Sequence, residues 1–290
     1  MIRRADAVID FLKSERERGV THIYLDQEVR DALRVWYRRT RAITTAAVPG
    51  AGEDLGTTPK SAEKGPSSDV VLSSVTVEGG SKAERLASLR QLMNHWEPVR
   101  ALGTLRGTLV FSTGDPDARL MLLGDAPGHE EEKKGEPFAG LSGQKLDAIL
   151  NAMRLTRGDV YLSHIVKFRP MTARQATNDR KARPEEMAVF LPLLRAEIGI
   201  VRPGCIVAFG SAAAEGLLGI SGTVAEMRGS WYSFDGIPVR VTHHPAALLN
   251  SNAELTYKRQ LWEDMLLVME ELIMPISAKQ RGFFPGTPDR

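Results

Sequence analysis

A chain of 290 residues with a single cysteine, Cys205, cannot close an internal disulfide and cannot build a cysteine-only zinc site or cluster. No apolar stretch approaches the roughly 20 residues that a membrane-spanning helix requires. The start, Met1-Ile2-Arg3-Arg4-Ala5-Asp6, lacks the apolar core of a secretion signal, so a cytoplasmic location is expected. Net charge is also nearly absent, +2 from 38 basic and 36 acidic residues, and bulk electrostatics do not point to a nucleic-acid partner. Residues 44–82 hold no aromatic side chain and are rich in Gly, Pro, Ser, Thr and Ala, too poor in apolar surface to offset the entropy of ordering. Gly124-x-x-x-Gly128 lacks both the Gly-Lys-Ser/Thr of a phosphate loop and the spacing of a dinucleotide fingerprint.

What remains is an ordinary globular composition, 42% hydrophobic and 26% charged, with room for one domain and an extension. Residues 1–43 read as a small, mildly basic helical module: Ala5, Val8, Ile9 and Leu12 share one helical face, and Asp26 caps a second helix carrying Val29, Leu33 and Trp36. Residues 44–82 read as a flexible linker, with a possible strand pairing of Val70-Val71-Leu72 and Val75-Thr76-Val77. Residues 83–274 read as the main domain and 275–290 as a tail.

Within the main domain strands and helices alternate. Strands are expected at Leu109–Phe111, Leu120–Leu123, Val160–Val166, Cys205–Phe209 and Val239–Val241, with a hairpin-like stretch at Trp231–Gly236. Helices are expected at Ala83–Met93, Ser142–Met153, Pro184 to about Arg202, Ser211–Leu218, and after the capping box Ser251-x-x-Glu254. This order implies an α/β fold, a three-layer α/β/α domain with a short, mainly parallel central sheet. Ligands bind such sheets outside the carboxyl ends of the strands, and Gly124-Asp125, His164 and His243-His244 all fall at such ends. A local basic run completes the picture: Lys167, Arg169, Arg174, Arg180, Lys181 and Arg183 stand against Asp179 alone, a charge density suited to phosphates or to a solvated loop.

The stretches Gly124-Asp125-Ala126-Pro127-Gly128, Gly135-Glu136-Pro137-Phe138-Ala139-Gly140 and His243-His244-Pro245-Ala246-Ala247-Leu248-Leu249 resemble the signature motifs of uracil-DNA glycosylases. The likeness covers about residues 85–273 and is nearest to the bacterial and archaeal branch that carries an iron–sulfur cluster. It implies a monofunctional DNA glycosylase acting on DNA that contains a deaminated base: uracil first, with hypoxanthine or xanthine as further candidates. Such an enzyme flips the nucleotide out and hydrolyses its glycosidic bond. On that likeness Asp125, in place of the family's glutamate, would position water. Phe138 would stack on the base, with Gly124 and Ala126 lining its pocket. His164, standing where the family has asparagine, would recognise the base. His244 would stabilise the leaving anion. Lys167 and Arg169 would meet DNA, and Leu248 and Leu249 are wedge candidates, with core packing the alternative for either.

The branch's four cluster cysteines align with Glu97, Arg100, Phe168 and Phe190, so no cofactor and no metal are expected, and the two phenylalanines suggest an apolar plug. A monomer is expected, associated with the bacterial nucleoid through its function and not with a membrane. Ser211 reads as a helix cap, His243 as packing beside the site, and the acids Glu130, Glu131 and Glu132 as a solvent-facing run. The alternative from another class is a protein that binds damaged or single-stranded DNA without turnover.

Overall fold

A computed structural model describes residues 75–249 and 254–284. The expected module at 1–43, nearly all of the 44–82 linker, the Val70–Leu72 strand and the Ser251 cap lie outside these residues. Helices α1 (Lys82–Asn94) and α2 (Glu97–Leu102) precede strands β1 (Leu105–Leu109), β2 (Thr113–Gly114) and β3 (Leu120–Gly124). Next come α3 (His129–Lys134), α4 (Gly140–Ala152), β4 (Tyr161–His164), β5 (Phe168–Pro170) and α5 (Pro184–Val201). The chain continues through β6 (Cys205–Phe209), α6 (Gly210–Leu218), α7 (Val224–Met227), β7 (Trp231–Phe234), β8 (Ile237–Thr242), α8 (Glu254–Glu271) and α9 (Ala278–Arg281).

The main sheet has six strands in the order β2-β4-β3-β6-β8-β7. Its four central strands are parallel, and the short edges β2 and β7 are antiparallel. Side-chain alternation along β3 and β6 divides the core in two. Met121, Leu123, Ile206 and Ala208 face Leu89, Met93, Phe190 and Ala213 of α1, α5 and α6. Leu120, Leu122, Cys205 and Val207 face Leu146, Leu150, Met265 and Val268 of α4 and α8. Covered on both faces, these strands have to be apolar throughout. Each fully buried Leu contributes about 1.5–3 kcal/mol. This is the three-layer sandwich that the alternation predicts.

Some details differ from the expectation. The strand expected at 109–111 ends at Leu109 and pairs with β5 in a separate two-stranded ribbon. The strand expected at 160–166 is cut to β4, because residues after His164 turn back: Ile165 and Val166 donate to the carbonyls of Gly124 and Asp125 at 3.0 and 2.9 Å. The β7–β8 hairpin closes on Asp235-Gly236, both at positive φ (48° and 85°), the backbone that a two-residue turn between right-twisted strands needs. At the amino end, Val75 and Val77 of the expected linker pack on the core. The expected tail also belongs to the domain as far as Phe284: the Trp262 indole donates to the Gln280 carbonyl at 2.9 Å, and the Gln280 amide donates to the Ala152 carbonyl at 2.8 Å. Among the described residues no helix is long and apolar enough to cross a membrane.

Candidate active site

Because β3, β4 and β8 are parallel, their carboxyl ends share one edge of the sheet, where Gly124 lies in register with His164. Three rings meet there. Phe138 lies 4.8 Å from the His164 ring centroid and 5.9 Å from that of His244, the latter nearly parallel at 24°. Phe209 closes the group edge-on, 5.8 Å from Phe138. Asp125 and Ala126 sit half-exposed on the following loop, and His244 is likewise half-exposed. Phe138 has no exposed surface, so a base reaches its face only by opening this cluster.

Phe138 takes a left-handed backbone, φ 53°, which costs a non-glycine residue about 1–2 kcal/mol. Its surroundings offset that cost. Arg157 donates to its carbonyl at 2.7 Å and to that of Pro137 at 3.3 Å, while Asp147 holds the guanidinium at 2.6 Å. Its N–H donates to Glu131. The carbonyl comes so close to α4 that a Cβ on Gly143 would lie 1.8 Å from it, so only glycine fits.

Glu131 is the residue that sequence reading placed wrongly. It does not face solvent. It is buried, accepting from the N–H groups of Phe138 and Gly128 and meeting His164 Nε2 at 2.8 Å. Burial alone would raise its carboxyl, but the adjoining His164 and these hydrogen bonds outweigh burial and hold it below the usual carboxylate range. The available signal was its position, third in a short helix after Gly128, where an acid reaches back to the cap N–H. Glu132 is engaged as well, binding Arg106 at 2.9 Å and Arg169 at 3.0 Å; Glu130 is exposed as expected.

His244 accepts the Ala246 N–H at Nδ1, 3.1 Å away, which places the proton of the neutral ring on Nε2. Burial lowers its pKa; Asp125 and Glu131 pull it up, and His164 pushes it further down. The strand leading to it is anchored from below: buried Asp264 accepts from Arg240 and Thr242, each at 2.6 Å. His243 packs aside as expected, 2.6 Å from the Gln260 carbonyl oxygen and with its ring 4.4 Å from Tyr257.

The residues expected to meet DNA divide. Lys167 is wholly buried, its ammonium 2.6 Å from Glu197 and also bound to Ser163 and Ser112; burial lowers its pKa against the pull of Glu197. Arg169 is 2% exposed and ties Asp179, Glu132 and the Ala176 and Asn178 carbonyls together. Neither can meet a phosphate where it stands, so the DNA contact expected of both is corrected: they brace the structure. Arg180 is bound to Glu186, leaving Arg174, Lys181 and Arg183 as the exposed cations of that run. Leu248 is core, whereas Leu249 is 45% exposed beside the site, so only Leu249 can serve as a wedge. Ser211 caps nothing: Phe209 is the cap residue of α6, with no side-chain hydrogen bond.

The model of the uracil DNA glycosylase superfamily matches residues 111–266, more than half of the chain. The chain belongs to that superfamily. It is similar to the type-4 uracil-DNA glycosylase of Pyrobaculum aerophilum, 35% identical over 176 residues, 58% of this chain and 86% of the relative. Similar proteins of the same type occur in Thermotoga maritima (36% over 165 residues, 55% and 81%) and Archaeoglobus fulgidus (33% over 163 residues, 53% and 75%).

The four places aligned with the superfamily branch's cluster cysteines do not suit a cluster. Phe168 and Phe190 pack ring on ring at 6.0 Å in the core, and Glu97 and Arg100 form an ion pair on α2 at 3.8 Å. None offers a thiolate, and Cys205 lies elsewhere, in β6, where burial first and Glu271 second push its thiol up to about 12. A cavity of about 340 Å³ borders the place, lined by Met93, Trp96, Arg100, Leu105, Arg106 and Phe168.

Proposed function

We propose that this chain is a DNA glycosylase that removes uracil by hydrolysis of its N-glycosidic bond and leaves the strand intact. The observation that carries the reading is the His244 geometry: a partly buried imidazole, its Nδ1 occupied by a backbone N–H, facing Phe138 at the strand ends. A neutral ring with the proton on Nε2 is a fixed donor, able to meet negative charge as it grows on the departing base. Donors placed in advance are the largest ordinary source of rate.

The remaining roles follow from position. Asp125, on the half-exposed loop beside His244, holds the attacking water and faces the positive charge that develops on the sugar. Phe138 supplies the flat surface, and stacking repays part of the few kcal/mol that flipping costs. Leu249 fills the gap left in the duplex. Hypoxanthine and xanthine present a similar edge and are expected to be cleaved more slowly, since the imidazole of His164 takes more room than the family's amide. The exposed Arg174, Lys181 and Arg183 are the candidates for phosphate contact.

Single-turnover excision from uracil-containing single- and double-stranded oligonucleotides is the test. Free base and an alkali-labile abasic site should form, and His244→Ala should lose roughly 10²–10³ in rate. Binding of uracil-DNA with no base release would instead identify a non-catalytic binder, and an unchanged His244→Ala would remove the histidine from the chemistry.

A further inference from the structure

The roles above leave the second ring nitrogen of His164 unused. His164 Nδ1 has no hydrogen-bond partner among the described residues, although the ring is 2% exposed. It packs directly on Gly124: a Cβ there would stand 2.3 Å from Nδ1 and 3.2 Å from Phe138 Cζ, so only the missing side chain lets the ring sit this close. Beside the stacking ring, this nitrogen stands where the edge of a base would arrive once the ring cluster opens for the base to lie on Phe138.

The state of Nδ1 is set on the far side of the ring. Glu131 carries three N–H groups: Gly128 on Oε2 at 2.6 Å, with Phe138 and His164 Nε2 sharing Oε1. A carboxyl so surrounded is an acceptor at every position, so Nε2 has to bring the proton. Whenever the ring is neutral its proton is therefore on Nε2, and Nδ1 is an acceptor. We propose that Glu131 locks His164 in the Nε2–H tautomer, and that the enzyme reads its base through the ring N–H, which Nδ1 accepts, without reading the exocyclic oxygen. This rests on the glycosylase reading above and specifies its substrate filter.

The filter fits the lesion chemically. Deamination turns N3 of cytosine and N1 of adenine from acceptors into N–H donors, giving uracil and hypoxanthine. An acceptor in the pocket pairs with either product and opposes the lone pair of either parent. Thymine and guanine already carry such an N–H, so their exclusion falls to shape.

Two measurements test this, one of them independent of activity. Imidazole ¹⁵N shifts of the full chain should show His164 with Nε2 protonated and Nδ1 bare, and Glu131→Gln should disturb that pattern. Protonated Nδ1 in the unaltered protein would overturn the proposal even if no base were released, a result that on its own defeats only the glycosylase reading. In excision assays, 4-thiouracil keeps the N–H and should be released within about 10-fold of uracil, whereas N3-methyluracil should fall by roughly 10- to 100-fold, the effect of one unmade buried hydrogen bond. His164→Asn restores a group able to meet the exocyclic oxygen and should widen the gap between uracil and 4-thiouracil. Rejection of 4-thiouracil together with tolerance of N3-methyluracil would sink the proposal.

Discussion

Replacing Gly124 by alanine tests the whole arrangement with one methyl group. Gly124 does not use the left-handed backbone, so alanine meets no conformational barrier and any effect comes from the atoms it touches. The new Cβ would lie 2.3 Å from His164 Nδ1, 2.7 Å from His164 Cε1 and 3.2 Å from Phe138 Cζ. Ordinary contact requires His164 to retreat by about 1 Å. Its ring is backed by Glu131 at 2.8 Å and by Phe138, so retreat means losing the hydrogen bond or shifting the stack. Overpacking of this kind costs about 1–3 kcal/mol, and loss of a hydrogen bond to a charged group falls in a similar range. For a domain of this size that is a fall in Tm of roughly 3–10 °C. Excision should drop further than stability, by at least about 100-fold, because the displaced ring and the new methyl both occupy the base edge. Gly107→Ala serves as the control: nothing lies within 4 Å of its Cβ, so Tm and rate should hold. A Gly124→Ala variant with unaltered melting and unaltered excision would show that His164 and Phe138 do not meet over that glycine.

Further outcomes follow from the same geometry. Arg157→Ala frees the Phe138 carbonyl from its clamp and should raise KM for uracil-DNA more than it changes Tm, a split readable by steady-state kinetics beside thermal melting. Glu197→Ala strands the buried Lys167 ammonium and should cost about 3–5 kcal/mol in urea denaturation, whereas replacing both partners by apolar residues should cost much less. The pKa of His244 lies below its ordinary 6.5, so the unfolded chain takes up that proton first; stability from this group is whole above about pH 6.5 and is lost as pH falls toward the folded value. The acid limb of single-turnover excision should accordingly lie below pH 6.5, and a limb above it would contradict the neutral-donor role. The purified protein should be colourless and free of iron and sulfide, since none of the four aligned positions carries a thiol.

The sandwich was legible because its signals are local. Apolar strands such as Cys205–Phe209, a proline-led helix at Pro184 and an Asp-Gly turn at 235 each specify their own backbone, and parallel order then brings the strand ends to one edge. The site was legible where a residue's neighbours in sequence are also its neighbours in space, as with His244 and Pro245. Elsewhere the partner lies far along the chain. That Glu131 is buried depends on His164, 33 residues away, and Lys167 turns inward because Glu197 waits for it, 30 residues away. A run of charge counted along the sequence cannot reveal which side chains are already neutralised by a distant partner, as Lys167 is by Glu197 and Arg169 by Glu132.

That inward turn helps to account for how the site keeps its shape. Phe168 and Phe190 fill the core where a cluster would need thiolates, and the two residues before and after Phe168 are the ones anchored most firmly: Lys167 to Glu197, Arg169 to Asp179 and Glu132. Asp179 also receives the His129 N–H at 3.2 Å, which fixes the start of α3 and with it Glu131. A chain of contacts therefore runs from the phenylalanine pair through Arg169 and Asp179 to α3, and from Glu131 to both His164 and Phe138. Opening either phenylalanine position to a small polar residue should therefore be felt at the base pocket as well as in stability. A Phe168→Ser variant that lost several kcal/mol yet kept uracil selectivity unchanged at a temperature where it is folded would show that this bracing ends before it reaches the site.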